Sequence, residues 1–424
     1  MAIRDPARFL RALFDRAVEV ADPMRSLAAH LPPKPAGRVV VVGAGKASAR
    51  MAEAVEAAWG PCDGLVITRY GYARPCRGIE IVEAAHPVPD AAGAQATGRM
   101  LDLLTGLGPD DFVLALISGG ASALLVAPVD GVNLADKQAV NAALLASGAP
   151  ITQMNIVRKH LSRVKGGQLA AAAYPARMLC LMISDVPGDD PAFIGSGPTV
   201  ADPSTAADAR AVLDQWRIAV PDRVTAALHR PSRVIPPGDP RIARVANTIT
   251  AAPAQSLTAA AMLAAGAASS REPACDIRLL GDAVEGEARV VAADQARLAL
   301  SIAATLRPGD RPVLILSGGE LTVTRTGDGI GGPNAEFCLA LAIALNGHPQ
   351  IHALACDTDG VDGAAEVAGA IIGPDTLTRA PNAAASLARN DAHSYFAATN
   401  AQVVTGPTRT NVNDFRAILV QPPP

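Results

Sequence analysis

The sequence predicts an α/β fold of two domains whose sheets are largely parallel. Short apolar runs alternate with Ala-rich runs of helical periodicity over almost the whole chain. The apolar runs are seldom interrupted by polar residues, which is typical of strands covered on both faces. The chain has 424 residues, too many for one ordinary hydrophobic core. Alternating strands and helices over this length indicate layered α/β domains.

Each predicted strand is a run rich in Val, Ile or Leu, bounded by Gly, Pro or polar residues. Ala-rich helices are predicted between the strands, most clearly over residues 47–58 and 286–306. The predicted strands, in chain order, are residues 38–42, 64–68, 112–117, 178–184, 248–252, 276–280, 312–316, 321–325, 352–357 and 402–405.

A proline-rich stretch suggests where the chain divides. Residues 230–240 contain four prolines in eleven positions, which stops helices and weakens strands. We therefore predict an N-terminal domain over residues 1–238 and a C-terminal domain over residues 239–424. The alternative is that the prolines mark only a surface loop.

Bulk composition excludes several classes of protein. A net charge of -3 and no Lys/Arg-rich run argue against a general nucleic-acid binder. The six cysteines form no CxxC pair, which favours reduced thiols over a zinc or disulfide framework. No uncharged apolar run reaches the about 18 residues of a membrane span. We expect a cytoplasmic protein without a nucleic-acid or membrane partner.

A glycine turn follows the first predicted strand, in the sequence VVVVGAGKAS (residues 39–48). Gly43 and Gly45 precede a predicted helix, and a helix N-terminus favours the binding of an anion. Lys46 would lie at the carboxyl edge of the sheet. The turn only half-matches a dinucleotide-binding fingerprint, because Thr68 and Arg69 stand where an acidic residue is expected. A tight turn without a ligand is the alternative.

Two further segments favour phosphate binding. SGGAS, starting at Ser118, follows a fully apolar strand, and Gly119 and Gly120 would let the backbone approach a ligand. The densest positive segment, residues 158–167, places Arg158 and Lys165 at spacings that suggest one helix face. A capped turn and a solvated helix are the respective alternatives.

Carboxylates cluster in turns after strands. SDVPGDD (residues 184–190) could hold Mg²⁺ or accept a hydroxyl proton, and ordinary Asx-turn chemistry is the alternative. DTDGVDG (residues 357–363) lacks the glycine and glutamate of an EF-hand. The LSGGE segment (residues 316–320) repeats the strand-then-SGG pattern. Glycine turns, one lysine and several carboxylates suit phosphoryl transfer.

Ten motifs, in order over nearly the whole chain, resemble the glycerate 2-kinase family of the MOFRL type, some members of which are named hydroxypyruvate reductase. They are VGAGKAS, HPVPD, ISGGASALL, RKHLSRVKGG, SDVPGDD, GSGPT, GDAVEGEAR, LSGGE, DTDGVDG and TGPTRTNVND. The resemblance implies a Rossmann-like N-terminal domain with a parallel sheet, a smaller C-terminal α/β domain and an active site in the cleft between them. It also implies ATP, Mg²⁺, D-glycerate as acceptor and 2-phosphoglycerate as product.

The resemblance also suggests roles for individual residues. Lys46 matches a lysine that faces substrate or phosphate, and Asp189 is the candidate carboxylate near the reacting hydroxyl. The family usually has an arginine where this chain has Pro333, so we expect Arg409 to replace it, with Arg325 as a second candidate. The remaining expected contacts are phosphate- or substrate-binding at Gly43, Gly45, Ser118, Gly119, Gly120, Arg158, Lys165, Ser317, Gly318, Gly319 and Asn334, and metal-binding at Asp185, Glu320, Asp357 and Asp359.

Two other functions stay open at this point. One is a nicotinamide-dependent reductase of hydroxypyruvate or tartronate semialdehyde, against which the missing acidic residue after the second strand counts. The other is a catalytically silent sensor of small anions, which the loss of the family arginine at Pro333 would permit. Whether the chain forms a homodimer, and which hydroxyl it would phosphorylate, are open as well.

Overall fold

A computed structural model describes residues 2–266 and 272–424. The chain forms two compact units. The N-terminal unit is Pro23–Thr250, and the C-terminal unit combines Met1–Asp22 with Ala251–Pro424. Among the described helices, none is both long and apolar enough to cross a bilayer.

The N-terminal unit is built on one six-stranded sheet with the strand order β3-β2-β1-β4-β5-β6. Neighbouring strands from β3 to β5 run parallel. This is the strand order of a Rossmann fold, so the predicted fold class of this half is confirmed. The strands are β1 (Val39–Ala44), β2 (Asp63–Arg69), β3 (Ile79–Ala84), β4 (Phe112–Ile117), β5 (Arg177–Ile183) and β6 (Val245–Ala251).

Helices cover this sheet because its central strands are apolar on both faces; β1 and β4 are buried at every residue. A second, smaller apolar cluster lies among the helices after β4 and β5. Helices are numbered in chain order, and α1 (Pro6–Ala21) belongs to the C-terminal unit. The helices of the N-terminal unit are α2 (Pro23–Ser26), α3 (Ser48–Trp59), α4 (Ala91–Leu103), α5 (Ala121–Leu124), α6 (Leu134–Ser147), α7 (Ile151–His160), α8 (Gln168–Ala172), α9 (Ala206–Gln215) and α10 (Asp222–Leu228).

The C-terminal unit contains a six-stranded mixed sheet in the order β13-β12-β11-β14-β9-β7 and a two-stranded pair of β8 and β10. Within the larger sheet, β7 and β9 are parallel. The other neighbouring strands are antiparallel, including β14 with both β9 and β11. The strands are β7 (Asp276–Leu279), β8 (Gly286–Glu287), β9 (Val313–Gly319), β10 (Leu321–Thr322), β11 (Ile351–Asp357), β12 (Gly369–Ile372), β13 (Gln402–Val403) and β14 (Asp414–Val420).

Helices pack on both faces of the C-terminal sheet, and each face has its own apolar cluster. The prediction of a largely parallel sheet is therefore wrong for this half. Strand β14 was not predicted, and it runs antiparallel to both of its neighbours. The helices are α1 (Pro6–Ala21), α11 (Pro253–Ala264), α12 (Ala288–Ala303), α13 (Pro333–Leu345), α14 (Thr376–Arg379), α15 (Ala383–Ala388) and α16 (Ala392–Ala398).

The structural division differs from the predicted boundary at residue 238. The proline-rich segment is bound to the N-terminal unit: the Ile235 amide donates to the Gly166 carbonyl (3.0 Å) and the Ile235 carbonyl accepts from the Asp202 amide (2.9 Å). The chain then adds β6 to the same sheet before it leaves the unit. The prolines thus mark a surface segment of the first unit, as the alternative interpretation held.

The first helix was predicted to belong to the N-terminal domain, and the structure places it in the C-terminal unit. Phe14 of α1 packs against Phe415 of β14, with ring centroids 6.0 Å apart. The Ala17 carbonyl accepts from the Ser256 hydroxyl at 2.8 Å, which fixes α1 against α11. An amphipathic helix buries its apolar face wherever a complementary sheet is available, and the sequence order does not specify which sheet that is.

Candidate functional site

Two turns meet where the strand order of the N-terminal sheet reverses, between β1 and β4. The Lys46 amide donates to the Gly119 carbonyl at 2.8 Å, and the Ala47 amide donates to the Ser118 hydroxyl at 3.0 Å. This reversal is the position at which open α/β sheets bind ligands, because the following loops diverge and leave a crevice. The structure thus brings together the first two predicted ligand-binding turns.

Gly43 and Gly45 are required by packing within the protein. A Cβ atom on Gly43 would lie 2.3 Å from the Leu116 carbonyl oxygen, and one on Gly45, whose φ is +143°, would lie 2.1 Å from the Ser118 hydroxyl oxygen. The Thr68 hydroxyl donates to the Gly45 carbonyl at 3.1 Å. These glycines let β1 and β4 approach closely, which is a structural role that the sequence pattern did not distinguish from phosphate binding.

Gly120 occupies a different environment. Its φ of +82° is left-handed, and a Cβ atom there would lie 3.1 Å from the His86 ring and 3.2 Å from Cγ of Lys46. The side chains of Lys46 and His86 therefore lie over this glycine. His86 begins the HPVPD motif and was not among the predicted site residues.

A cavity of about 220 Å³ opens beside Gly120. We call it the cation pocket, because three positively charged side chains line it: Lys137, Arg158 and Lys165. Its other lining residues are His86, Pro87, Pro89, Gly120, Ser122, Ala123, Val126, Val140, Asn141, Leu144, Leu145 and Leu161.

Within the described residues, the three cations donate only to neutral oxygens. The Lys137 ammonium donates to the carbonyls of Arg158 (3.3 Å) and Leu161 (3.4 Å), and the Lys165 ammonium donates to the Ser122 carbonyl (2.9 Å). The Arg158 guanidinium donates twice to the Asn141 side-chain oxygen, at 3.0 and 2.7 Å. No carboxylate pairs with these groups among the residues that the structure describes.

Burial governs the charge of these groups. Lys165 is 1% exposed and Lys137 is 8% exposed. Loss of hydration, followed by repulsion from Arg158, lowers the pKa of Lys137 to about 7. Loss of hydration, followed by the charges of Lys137 and Arg158, lowers the pKa of Lys165 well below its usual range. Burial also lowers the pKa of Arg158.

A chain of polar side chains connects the pocket to the loop after β5. The Ser122 hydroxyl lies 2.7 Å from the Ser196 hydroxyl, which donates to the Asn155 side-chain oxygen at 3.2 Å. Arg158 also donates to this Asn155 oxygen, at 3.4 Å. The GSGPT loop, which contains Ser196, is thereby fixed beside the SGGAS turn.

Arg158 and Lys165 do reach one pocket, but the predicted shared helix face is wrong. Helix α7 ends at His160, and Lys165 lies in the following turn, where the Ser162 hydroxyl accepts from its amide at 3.3 Å. Lys137 comes from α6 and was missed. Its sequence signal is a single lysine in a helix composed mostly of Ala, Leu and Val, and a solvated lysine gives the same signal.

The turn after β5 carries Asp185 and Asp189. Asp189 has a left-handed φ of 55°, which is uncommon for a residue with a side chain. Its Oδ1 atom is buried and has no hydrogen-bond partner within the described ranges. A strained residue with an unsatisfied buried carboxylate oxygen is typical of a functional position. Asp185 is half-buried in the same turn.

In the C-terminal unit, Ser317, Gly318 and Gly319 form the end of β9 and contact their own chain. The Ser317 hydroxyl accepts from Arg416 Nε at 3.3 Å, and the Gly318 amide donates to the Gly281 carbonyl at 2.8 Å. A Cβ atom on Gly319 would lie 2.4 Å from the Val284 amide nitrogen. The contacts of this SGG segment are thus with its own chain, and Gly319 lets the backbone of Val284 approach closely.

Asn334 belongs to a buried network of two carboxylates. Its amide nitrogen Nδ2 donates to Asp414 Oδ1 at 2.6 Å, and its backbone amide donates to Asp362 Oδ1 at 3.0 Å. Burial raises the pKa of Asp414 to about 6, although Arg416 and Asn334 oppose the shift and Asp362 adds to it. The Asn334 Oδ1 atom is buried without a hydrogen-bond partner in the described part of the chain.

The acidic turn at Asp357 and Asp359 is stabilised by its own carboxylates. Asp357 Oδ1 accepts from the Asp359 amide at 2.8 Å, and Asp359 Oδ1 accepts from the Val361 amide at 2.8 Å. Glu320 is exposed between β9 and β10. In residues 2–266 and 272–424, no three His, Cys, Asp or Glu side chains converge on a metal position. The donor set fits an ion held by one or two carboxylates together with water and phosphate oxygens, as Mg²⁺ commonly is.

Arg409 and Arg325, the two candidates to replace the family arginine, have different environments. Pro333 occupies the first position of α13, where its fixed φ is favourable. The Arg325 guanidinium is exposed and donates to the carbonyls of Gly327 (3.3 Å) and Gly329 (3.4 Å) in its own loop. Arg409 has a left-handed φ of 64°, and its Nε is buried without a hydrogen-bond partner among the described residues. Arg409 thus has an unsatisfied donor, whereas Arg325 stabilises its own loop.

Comparison with known proteins agrees with this architecture. The family model "Domain of unknown function (DUF4147)" matches residues 9–229, and the model "MOFRL family" matches residues 313–414. A protein of Agrobacterium vitis that carries the provisional name hydroxypyruvate reductase is 51% identical over 97% of this chain and 94% of its own length. The D-glycerate 2-kinase of Thermotoga maritima is 35% identical over 94% of each chain.

Solved structures give the same result. The crystal structure of glycerate kinase from Thermotoga maritima aligns with a TM-score of 0.85 and 33% identity, covering 98% of this chain and 99% of that one. A protein from Pyrococcus horikoshii aligns with a TM-score of 0.79 and 32% identity over the full length of both chains.

Proposed function

Because this chain belongs to the glycerate 2-kinase family of the MOFRL type, we propose that it is a glycerate 2-kinase, which transfers the γ-phosphoryl group of ATP to D-glycerate and releases 2-phosphoglycerate. The observation that carries the proposal is the position of Lys46. Its side chain lies over Gly120 at the reversal of the strand order, next to a pocket lined by three more cations. Phosphoryl transfer needs concentrated positive charge around phosphate oxygens and little else from the protein.

Two residues of the N-terminal unit would act on the reacting atoms. The Lys46 ammonium would neutralise charge that develops on the transferred phosphoryl group. Asp189 would accept the hydroxyl proton of the acceptor, because its buried Oδ1 has an unused hydrogen-bonding site. Mg²⁺, when bound, would supply positive charge that shields the phosphate oxygens. We propose that one or two carboxylates hold it, and the candidates are Asp185, Glu320, Asp357 and Asp359.

Arg409 would replace the family arginine that is absent at Pro333. We expect Arg409→Met to lower kcat/KM for D-glycerate about 100-fold, since a charged hydrogen bond to an anionic group contributes about 1.5–3 kcal/mol. The measurement is steady-state kinetics of the purified variant. Arg325→Met is the matched control and should retain normal kinetics, because the Arg325 guanidinium donates to carbonyls of its own loop. The reverse result would assign the role to Arg325.

The remaining parts of the proposal concern the cell and the assembly. The six cysteines are all free thiols, which suits the reducing cytoplasm. We propose a cytoplasmic enzyme whose partner is the small molecule D-glycerate. A homodimer would be detected as twice the monomer mass by light scattering.

A reductase of hydroxypyruvate is the second candidate, because the relative from Agrobacterium vitis carries that provisional name. The site gives it little support. At the end of β2, where a dinucleotide-binding fold has an acidic residue for the ribose, the Thr68 hydroxyl instead donates to the Gly45 carbonyl at 3.1 Å.

The test combines the purified protein with ATP, Mg²⁺ and D-glycerate, and couples the product to enolase without phosphoglycerate mutase. We expect phosphoenolpyruvate to form, because enolase accepts only the 2-phosphate. A signal that requires added mutase would indicate phosphorylation of the 3-hydroxyl. No signal with ATP, together with NADH oxidation on addition of hydroxypyruvate, would replace the kinase with the reductase.

A further inference from the structure

The cation pocket contains three basic side chains that no carboxylate of the described chain neutralises. Lys137, Arg158 and Lys165 donate to carbonyl and amide oxygens, and no carboxylate pairs with them among the described residues. The buried Lys159 shows the contrast, because its ammonium is paired with the Asp202 carboxylate. An unpaired buried charge is costly, so such a group either loses its proton or binds a partner of opposite sign. The partner missing here is an anion.

The pocket also has an extended apolar wall. Val126, Val140 and Leu161 line it together with Leu144 and Leu145. Leu145 is 60% exposed, which is unusual for a large apolar side chain beside a pocket. The ligand must therefore present an apolar surface as well as negative charge.

D-glycerate does not meet the second requirement. It carries a single negative charge, and each of its three carbons bears an oxygen. Its hydroxyl groups would lie against the apolar wall without partners, which costs free energy. A nucleoside triphosphate meets both requirements, because its base has wide apolar faces and its phosphates carry several negative charges.

We propose that the cation pocket is the nucleotide-binding site of this protein. The base would lie against the apolar wall, and the phosphates would face Lys137, Arg158 and Lys165. This assignment rests on the proposed kinase function and states where ATP would bind. It places the phosphates beside Gly120, toward Lys46. The phosphates would then not contact Gly43 and Gly45, where the absence of a side chain leaves space for Leu116 of β4 and for Ser118, which follows β4.

Two variants test the assignment directly: Lys137→Met and Lys165→Met. Each is expected to raise the Kd for ATP at least about 10-fold in isothermal titration calorimetry without D-glycerate, because each removes a charge that would face phosphate. The KM for D-glycerate at saturating ATP should stay within about 2-fold. Lys34→Met is the matched control: Lys34 is exposed in the same unit, and its loss should leave the ATP Kd unchanged.

Thermal unfolding distinguishes a binding role from a structural one. Lys137→Met should raise the Tm of the ligand-free protein, because it removes a buried cation that lacks a partner. Lys159→Met should lower the Tm, because it leaves the Asp202 carboxylate unpaired. If Lys137→Met instead lowers the Tm and leaves the ATP Kd unchanged, the lysine is structural and the proposal is overturned.

A measurement on the unaltered protein does not depend on variants that fold. Lys137 and Lys165 line the pocket together with Arg158 and His86. Burial, followed by repulsion from the neighbouring cations, lowers the pKa of both ammonium groups. Bound phosphate would favour the protonated forms. ATP titrations at pH 8, in buffers of different ionisation enthalpy, should therefore show net proton uptake, which Lys137→Met reduces.

The outcomes separate this inference from the proposed function. Binding of ATP with proton uptake, but no phosphoglycerate in the enolase assay, would support the pocket and reject the kinase. Normal turnover with unchanged ATP Kd in both variants would reject the pocket and leave the kinase intact. A raised KM for D-glycerate with unchanged ATP Kd would assign the pocket to the acceptor carboxylate and overturn the nucleotide assignment.

Discussion

Replacing Lys46 with methionine is expected to lower kcat about 1,000-fold, with the fold intact. The side chain lies over Gly120 and contributes a positive charge where the phosphoryl group would be transferred. Loss of one preorganised group that stabilises developing charge commonly costs 10²–10³-fold in kcat, and charged groups in phosphoryl transfer reach higher values. The backbone amide of Lys46, which connects the two turns at 2.8 Å, is unaffected by the substitution.

The enolase-coupled assay measures this effect, and the circular dichroism spectrum and Tm verify the fold. Lys34→Met removes the same charge from an exposed position of the same unit and should keep at least half of the activity. If Lys46→Met retained more than about a tenth of the wild-type kcat, Lys46 would be excluded as the residue that stabilises the transferred phosphoryl group.

Replacing Asp189 with asparagine is expected to lower kcat by about 1,000-fold as well, with little change in the KM for ATP. General-base catalysis by a positioned carboxylate contributes about 10²–10⁴-fold, and an amide of the same shape cannot accept the acceptor's hydroxyl proton. The left-handed backbone at φ 55° tolerates asparagine well, so the substitution should not disturb the turn.

Asp190→Asn is the matched control for this position. Asp190 is the exposed neighbour, and its Oδ1 atom accepts from the Ala192 amide at 2.9 Å, which an asparagine side-chain oxygen can also do. Normal kcat in Asp190→Asn and loss in Asp189→Asn would locate the base at Asp189. Equal, small losses in both would indicate that the turn only positions its neighbours.

The resemblance was sufficient to predict the family and the fold class, and the comparisons confirmed both. The central strands of the N-terminal sheet could be predicted from the sequence because they are uniformly apolar, which is a local signal. Strand β3 at the edge was missed, because Glu80 and Glu83 interrupt its apolar run. In the C-terminal unit, β14 was missed because its strand, DFRAILV, begins with two charged residues within three positions. Both are buried: Arg416 pairs with Asp414 at 3.0 Å, and such compensation appears only in three dimensions.

Some features of the candidate site could be predicted from the sequence, and others required the tertiary structure. The sequence alone indicated Lys46, Arg158 and Lys165, because glycine turns after apolar strands and dense positive segments are local patterns. Only the tertiary structure decided that Arg158 and Lys165 meet Lys137 in one pocket, and that Gly43 and Gly45 serve strand packing. A sequence specifies which charges the chain carries, but the cost of a charge depends on burial and on its neighbours. Both are set by residues that are distant along the chain and adjacent in the fold.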